Sequence, residues 1–351
     1  MKKMLIPILF FLLVSCTKKN DLPGSQTSLD FSAVDTVLND SVPLRFSGRC
    51  YALIHVNGQT VYSKSYGGYD GNTRVLVASC SKWLSAAVVM RLVDEGTLRL
   101  SDTVGKFLPL FTSYHKGNIT IAQLMSHTSG FPGNSSQGYE SDPLLTLSLA
   151  ADLIAKNVAL INPPGTAFYY GGVSMQVAGR ICEVATGKSW GALAAEKIFT
   201  PCGMTNTDYG LSANPLIAGG GRSTANDYIR FLDMLANRGV ATNGTRVLSS
   251  AAVDAMEQSQ TAHVRVDYSP YPLALLPTLP NFYGIGNWRD LAATNDAIVE
   301  SCSPGAFGTH PWINYNKKIT GILLTLLPAN NEGATVGASL KVRSLARNIV
   351  P

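Results

Sequence analysis

Residues 75–100, VLVASCSKWLSAAVVMRLVDEGTLRL, are the stretch that decides how the rest of the chain is interpreted. A short β-type run at 75–78 leads to Ser79, and apolar residues then recur at near-helical spacing until a glycine ends the pattern. Ser79 is therefore predicted at a helix N-terminus, where backbone N–H groups and the helix dipole favour a developing negative charge. Lys82 lies three residues later, which places its amine beside the Ser79 hydroxyl. The pattern predicts an activated serine nucleophile.

The spacing of a serine and a lysine three residues apart is not specific by itself. It recurs at Ser15 and at Ser113, but Ser15 lies in an apolar leader and Ser113 lies in the polar connection SYHKGN, with no apolar helix after it. The alternative for Ser79 is a helix N-cap followed by a solvated Lys82. The remaining motifs of the chain have to decide between the two interpretations.

Composition places most of the chain in the globular class. Its 351 residues are 46% hydrophobic and 15% charged, which provides for a large core and excludes disorder for most of the length. The formal net charge is +5, two units of which come from Lys2 and Lys3, and no basic run exceeds two residues. The sequence therefore indicates no nucleic-acid partner, and we expect a monomer that acts on a small-molecule or peptide substrate.

The first 28 residues have the pattern of an export signal and a tether. MKKMLIPILFFLLVSC has a basic tip, an apolar stretch too short to span a bilayer comfortably, and then a cysteine. Residues 13–16 resemble the bacterial lipobox, which predicts a signal peptide at 1–15, acylation of Cys16, a polar tether at 16–28, and a membrane-anchored lipoprotein of the periplasm or outer membrane. The alternative is an ordinary signal peptide with an incidental cysteine.

Five further cysteines remain, and no metal or cofactor is implied. Cys182 and Cys202 form the most plausible local disulfide in an exported protein, although spacing cannot establish the pair. The chain has no Cys-x-x-Cys, no His-Glu-x-x-His and only five scattered histidines.

The order of predicted elements indicates a sheet built from both ends of the chain. Two β-rich runs, 50–56 and 60–66, flank Asn57-Gly58, which is a strong hairpin signal. Helices are predicted at 28–40, 121–127, 147–156, 173–186, 190–199, 225–237 and 337–348, and late strands at 282–289, 297–302, 306–315 and 319–327. We therefore predict one folded domain at 29–351, in which 29–75 and 255–351 form an α/β part and 76–254 a helical part, with Ser79 in the cleft between them.

The ordered segments 75–109, 119–131, 163–190 and 218–239 resemble the serine β-lactamase and penicillin-binding-protein superfamily. Within it the similarity is greatest to the branch of class C β-lactamases, D-alanyl-D-alanine carboxypeptidases and β-lactamase-like esterases. The resemblance covers roughly residues 45–350. It implies an α/β (α+β) fold of the β-lactamase/transpeptidase type, with an antiparallel sheet flanked by helices and an inserted helical domain. It also implies that Ser79 and Lys82 are catalytic.

The second motif of that superfamily is Tyr-x-Asn after a Pro-Gly turn, and here Tyr170 takes the tyrosine place. A phenol titrates near 10, so action as a base requires a nearby cation such as Lys82. Tyr169 is a competitor, and the Ser-x-Asn form of the motif also occurs at residues 212–214, although the Pro-Gly lead-in favours Tyr170. Gly172 stands where the motif has its asparagine, which would bind a substrate amide.

The third motif, usually Lys-Thr-Gly or His-x-Gly, is replaced by Ser303, Pro304 and Gly305. Gly305 would let the substrate approach the backbone, and the N–H groups of Ser79 and Ala306 would form an oxyanion hole. Gly172, Ser303 and Gly305 are the predicted substrate-binding positions. A further hypothesis joins Cys80 and Cys302, which flank two of the motifs, in a disulfide.

Two departures from the superfamily pattern set the order of predicted activities. Gly172 lacks the side-chain amide of the motif asparagine. Ser303 lacks the cation that would bind the carboxylate of a penicillin or peptide. A replacement cation could come from one of four other residues, His127, Arg222, Arg289 or His310. We therefore predict a serine hydrolase of the esterase or amidase type, with β-lactamase or D-alanyl peptidase activity second. The rival is a non-catalytic surface lipoprotein that binds a cell-wall or small ligand in its cleft.

Overall fold

The computed structural model describes residues 29–272, 280–328 and 332–351. The predicted signal peptide, the tether and Cys16 lie outside these residues. The helices are α1 Ser32–Arg45, α2 Ser81–Asp94, α3 Val104–Phe107, α4 Pro109–Ser113, α5 Ile121–Met125, α6 Leu147–Asn157, α7 Val173–Thr186, α8 Trp190–Ala194, α9 Ala225–Ala236, α10 Ser250–Glu257 and α11 Glu332–Ile349. The strands are β1 Cys50–Val56, β2 Gln59–Tyr66, β3 Val75–Leu76, β4 Ala167–Tyr169, β5 Arg222–Ser223, β6 Arg265–Tyr268, β7 Trp288–Ala292, β8 Ile298–Cys302, β9 His310–Asn314 and β10 Ile319–Leu324.

A six-stranded antiparallel sheet in the order β2-β1-β10-β9-β8-β7 joins the two ends of the chain. Its first hairpin turns at Asn57 and Gly58, whose φ angles of 52° and 73° are the left-handed values that a two-residue turn requires. Strand β1 then pairs with β10, so residues 51–56 lie beside residues 319–324. The predicted sheet of N- and C-terminal segments is thereby confirmed.

Two apolar clusters organise the helices. One contains the buried side of α1, residues of α11 and one face of the sheet, so these helices cover the sheet. The other surrounds α2, in which eleven of fourteen residues are buried, including Trp83 and Leu84. A helix that is apolar on nearly all sides has to lie at the centre of a helical region, which is where α2 is found.

Two small sheets connect the sequence motifs to this framework. Strand β3, which ends three residues before Ser79, pairs antiparallel with β5. Strand β4, immediately before Tyr170, pairs in parallel with β6. Each motif residue therefore follows a short strand that is fixed by a segment distant in the sequence.

Several predicted boundaries were wrong for identifiable reasons. Helix α1 ends at Arg45 and not near residue 40, because Val42 continues the buried face of Val34 and Leu38. Residues 282–287 were predicted as strand, but β7 begins only at Trp288, and Phe282 and Tyr283 instead fill the apolar cluster under the sheet. Helix α10 was not predicted; its start is capped by the Ser249 hydroxyl, which accepts a hydrogen bond from the Ala252 N–H.

Both disulfide hypotheses were wrong. None of the five cysteines from Cys50 to Cys302 is joined to another, and all five are buried. Burial raises the pKa of Cys182 and of Cys202 to about 12, so both are protonated thiols packed in the core. Over the described ranges, no helix combines the length and the apolar character that a membrane span needs.

Candidate active site

Ser79 lies in a tight 3₁₀ turn, Ala78–Cys80, that leads directly into α2. The turn is strained, because Ala78 has a φ of 46°, a value that non-glycine residues rarely adopt. The Val77 N–H donates to the Gly221 carbonyl over 2.9 Å, which fixes the entry to the turn. Strain that the surrounding structure maintains is typical of functional turns.

Lys82 is in the first turn of α2 and is 3% exposed. Its Nζ donates to the Ser79 hydroxyl over 3.0 Å and to the Ala218 carbonyl over 3.0 Å. The same Nζ lies 4.4 Å from the centre of the Tyr170 ring. The predicted Ser79, Lys82 and Tyr170 are therefore adjacent in the structure.

Tyr170 is 6% exposed and its ring is held by other aromatic side chains. It stacks on Trp288 with ring centres 5.4 Å apart and contacts His127 with ring centres 4.6 Å apart. The competing Tyr169 does not line the cleft that contains Ser79; it packs on Tyr268 instead, with ring centres 5.4 Å apart.

The competing Ser-x-Asn segment also lies elsewhere. Asn214 is buried, and its amide is fully engaged: Nδ2 donates to the carbonyls of Tyr139 and Asp142, while Oδ1 accepts from Gln176. The side chain of Asn214 thus holds two loops together, which leaves the Tyr170 form of the second motif in place.

The third-motif segment packs directly on the turn that carries Ser79. The Ser303 hydroxyl donates to the backbone carbonyl of Ser79 over 3.1 Å. A Cβ atom at Gly305 would lie 2.3 Å from the Val77 carbonyl oxygen, so only glycine permits this approach. Ala306 lines the same cleft as Ser79.

Position 172 shows a feature that the sequence alone did not reveal. A Cβ atom at Gly172 would lie 3.1 Å from Glu140 Cγ and 3.3 Å from Asn134 Oδ1, so neighbouring side chains occupy the space beside the glycine. Asn134 Oδ1 accepts a hydrogen bond from the Gly172 N–H over 3.0 Å, and Asn134 lines the cleft. No spacing rule marks Asn134, because it belongs to a glycine- and serine-rich loop that the fold brings beside the second motif.

The cleft has a volume of about 410 Å³. Apart from Ser79, Lys82, Tyr170 and Asn134, its described lining is glycine, alanine and apolar or aromatic residues: Leu216, Tyr268, Pro270 and Phe307 among them. Lys82 is the only charged side chain in that lining as far as the structure describes it. The cleft therefore suits an uncharged group next to Ser79.

None of the four candidate replacement cations belongs to the described lining of the cleft. Arg222 pairs with Asp208, and the Arg289 guanidinium is buried among the carbonyls of Glu257 and Asn281 and the Asp296 carboxylate. His127 contacts the Tyr170 ring and His310 is buried in the sheet. The idea that one of them binds a substrate carboxylate there finds no support in this geometry.

Asp290, Cys302 and His310 form a buried group whose donor atoms lie within 4.8 Å of one another. The Arg343 guanidinium contacts the carboxylate of Asp290 and lies 3.3 Å from His310 Nε2, so a metal ion would meet a fixed positive charge. Burial is the main cause that lowers the pKa of His310, and Arg343 lowers it further. These residues are best described as a neutral histidine and thiol packed against a buried ion pair.

Comparison with known proteins identifies the family of this chain. A sequence model of the family described as Beta-lactamase matches residues 50–342, which is most of the chain. The chain belongs to the β-lactamase family. A candidate β-lactamase of Bacteroides dorei DSM 17855, known from a crystal structure, is 31% identical, and the match covers 91% of this chain and 99% of that one with a TM-score of 0.82. The members of this superfamily are generally serine hydrolases.

Two further proteins are similar to this chain to different degrees. Penicillin-binding protein 4 of Amycolatopsis lactamdurans is 33% identical over 216 residues, which are 51% of this chain and 55% of that protein. The chain thus spans about half the length of that curated relative. EstCE1, described as a hydrolase with promiscuous acyltransferase activity, is 20% identical with a TM-score of 0.71 over 89% of this chain and 97% of its own, which shows the shared fold alone.

Proposed function

We propose that this β-lactamase-family chain is a serine hydrolase that cleaves uncharged esters or amides through an acyl-enzyme on Ser79. The observation that carries the proposal is the 3.0 Å contact between Lys82 Nζ and Ser79 Oγ inside the cleft. A hydroxyl within hydrogen-bond reach of a buried amine is the arrangement of an activated nucleophile.

The proposed reaction has two halves. Ser79 Oγ attacks the substrate carbonyl carbon while its proton passes to the Lys82 and Tyr170 pair, and the leaving alcohol or amine takes that proton as the carbon–oxygen or carbon–nitrogen bond breaks. Water then attacks the acyl group, and its proton returns through the same pair as Ser79 is released. The tetrahedral oxyanion of each half is held by the N–H groups of Ser79 and Ala306.

Asn134 is the proposed partner of the substrate carbonyl or amide. Its Oδ1 is committed to the Gly172 N–H, so the Nδ2 group remains to donate to the substrate. We assign to Asn134 the part that an asparagine at position 172 would otherwise play. Gly172 then contributes its backbone N–H to the support of that side chain.

The polarity of the cleft favours neutral esters over penicillins or D-alanyl peptides. The described lining has no cation besides Lys82, and the Ser303 hydroxyl is engaged by the Ser79 carbonyl. EstCE1 is described as a hydrolase with acyltransferase activity, which is consistent with ester chemistry on this fold. The second candidate, β-lactam or peptidase activity, rests on relatives described as penicillin-binding protein and D-alanyl-D-alanine carboxypeptidase.

Labelling with a fluorophosphonate probe tests the proposal. We expect stoichiometric labelling of the wild-type chain at Ser79, none in S79A, and at least about a hundredfold slower labelling in K82A, because the hydroxyl then has no amine beside it. The matched control is S113A, which removes the serine of the other Ser-x-x-Lys match in the described chain and should label like the wild type.

A substrate panel separates the candidate activities. Hydrolysis of p-nitrophenyl esters by the wild type, lost in S79A, would support the esterase proposal, whereas faster turnover of penicillins or D-alanyl-D-alanine peptides would move the second candidate ahead. If neither probe nor substrate reacts at Ser79 in the folded protein, the proposal is refuted and a cleft-bearing binding protein takes its place.

A further inference from the structure

His127 occupies a backbone conformation that favours glycine. Helix α5 ends at Met125, and His127 follows with a φ of 60° in the left-handed region. Its carbonyl accepts a hydrogen bond from the Tyr169 N–H over 2.9 Å, so this bend supports the strand that ends beside Tyr170. A side chain with a Cβ atom is strained there, and its presence needs a compensating reason.

The His127 side chain is also costly to bury. It is 2% exposed, and neither ring nitrogen has a hydrogen-bond partner among the residues that the structure describes. A phenylalanine would fill the same space without burying unsatisfied polar atoms. Two separate costs at one residue, in the backbone and in the side chain, indicate a functional constraint rather than a packing preference.

The surroundings of the ring point to Tyr170 and Lys82. The imidazole centre lies 4.6 Å from the centre of the Tyr170 ring, and it contacts Phe168 and Tyr283 at 5.8 Å and 5.2 Å. Burial is the main cause that lowers the pKa of His127, and the nearby Lys82 charge lowers it further, so the imidazole is neutral. The ionisable groups facing it are Lys82 on α2, Tyr170 after β4 and Tyr283 before β7.

We propose that His127 is a positioning residue of the acyl-transfer site, whose imidazole holds the Tyr170 ring against Lys82 and supplies a polar edge there. The inference rests on the proposed function. It explains why a strained, unsatisfied histidine stands beside Tyr170, where an apolar ring would be less costly to bury.

The rate of fluorophosphonate labelling at Ser79 tests this inference in two variants. H127F keeps the ring and removes the nitrogens, whereas H127N tolerates the left-handed backbone and removes the ring. We expect the labelling rate per folded molecule to fall by on the order of tenfold in both variants. The reason is that a small displacement of Tyr170, the proposed proton-transfer group, slows the reaction steeply. We also expect the pH profile of the labelling rate to shift in H127F, which a purely structural loss would not cause.

His115 provides a matched control. It is another histidine in the left-handed region, with a φ of 59°, but it is exposed on the surface and does not line the described cleft. H115F and H115N should therefore label at the wild-type rate. If folded H127F and H127N label within twofold of the wild-type rate and with the wild-type pH profile, the positioning role is overturned. The proposed function would still stand. A wild-type chain that does not label would overturn both.

Discussion

At the scale of single residues, Asn134 lies beside Gly172, the position where the superfamily motif has its asparagine. A side chain at position 172 would meet Glu140 and Asn134 at 3.1 Å and 3.3 Å. Glu140 is itself fixed, because its carboxylate accepts hydrogen bonds from the Ser135 backbone and hydroxyl. These hydrogen bonds support the loop that carries Asn134, which lines the same cleft as Ser79.

We predict that N134A weakens substrate binding more than it slows the chemical step. Loss of one neutral hydrogen bond to the substrate is worth about 1 kcal/mol, so KM for an ester substrate should rise roughly fivefold while kcat changes less. Steady-state kinetics on purified protein provide the measurement. N118A, which removes another exposed asparagine outside the described cleft lining, is the control. A fall in kcat at constant KM would assign Asn134 to the transition state instead.

At the scale of elements, Glu257 joins the end of α10 to the sheet. Its carboxylate accepts hydrogen bonds from the Asn287 amide over 2.9 Å, from the Tyr315 hydroxyl over 2.6 Å and from the Ser301 hydroxyl. The side chain is 5% exposed, and burial raises the pKa of Glu257 above its usual 4.5. The protonated form is thus favoured in the folded state relative to the unfolded chain.

The pH dependence of stability follows from that shift. Because the folded-state pKa of Glu257 is raised, its stabilising contribution is complete below about pH 4.5 and is lost as the pH rises through the raised value. We predict that the wild type loses free energy of unfolding relative to E257Q between pH 4 and pH 8, by about 1.4 kcal/mol for each pH unit by which burial raises the pKa. Urea unfolding of both proteins at the two pH values measures the difference.

E196Q serves as the control with the opposite sign. The exposed Glu196 pairs with Lys188, whose hydrogen bond lowers the pKa of Glu196, so the wild type should gain stability relative to E196Q as the pH rises through the carboxyl range. If the difference in free energy of unfolding between the wild type and E257Q does not change with pH, the pKa of Glu257 is not raised by folding and the prediction is wrong.

At the scale of the whole molecule, we propose that the catalytic domain is held at a membrane by acylation of Cys16. The export pattern of residues 1–15 and the tether of residues 16–28 carry the proposal. We predict that, in a bacterium that processes lipoproteins, the wild type is bound to the membrane and incorporates an alkyne fatty acid. C16S should be neither membrane-bound nor labelled by the fatty acid. C182S, which alters a buried core cysteine, should still be labelled. Fatty-acid labelling of C16S would contradict the proposal.

Much of the architecture could be predicted because local patterns agree with the final fold. The Asn57-Gly58 hairpin requires only two residues that tolerate positive φ, and the limits of α7 follow from its apolar spacing and Gly187 at its end, where φ is 70°. The sheet from both chain ends followed from strand-type runs separated by helices. These features depend on neighbours in sequence, so one sequence is enough to specify them.

What the sequence determined by itself was the helix that begins just after Ser79, since a three-residue spacing brings Ser79 and Lys82 together at its start. Tertiary structure alone decided which loop amide stands beside Gly172, that Gly305 is required by contact with Val77, and that His127 lies against Tyr170. Those contacts join segments tens to hundreds of residues apart, and their geometry depends on packing of the whole core. No local spacing encodes it.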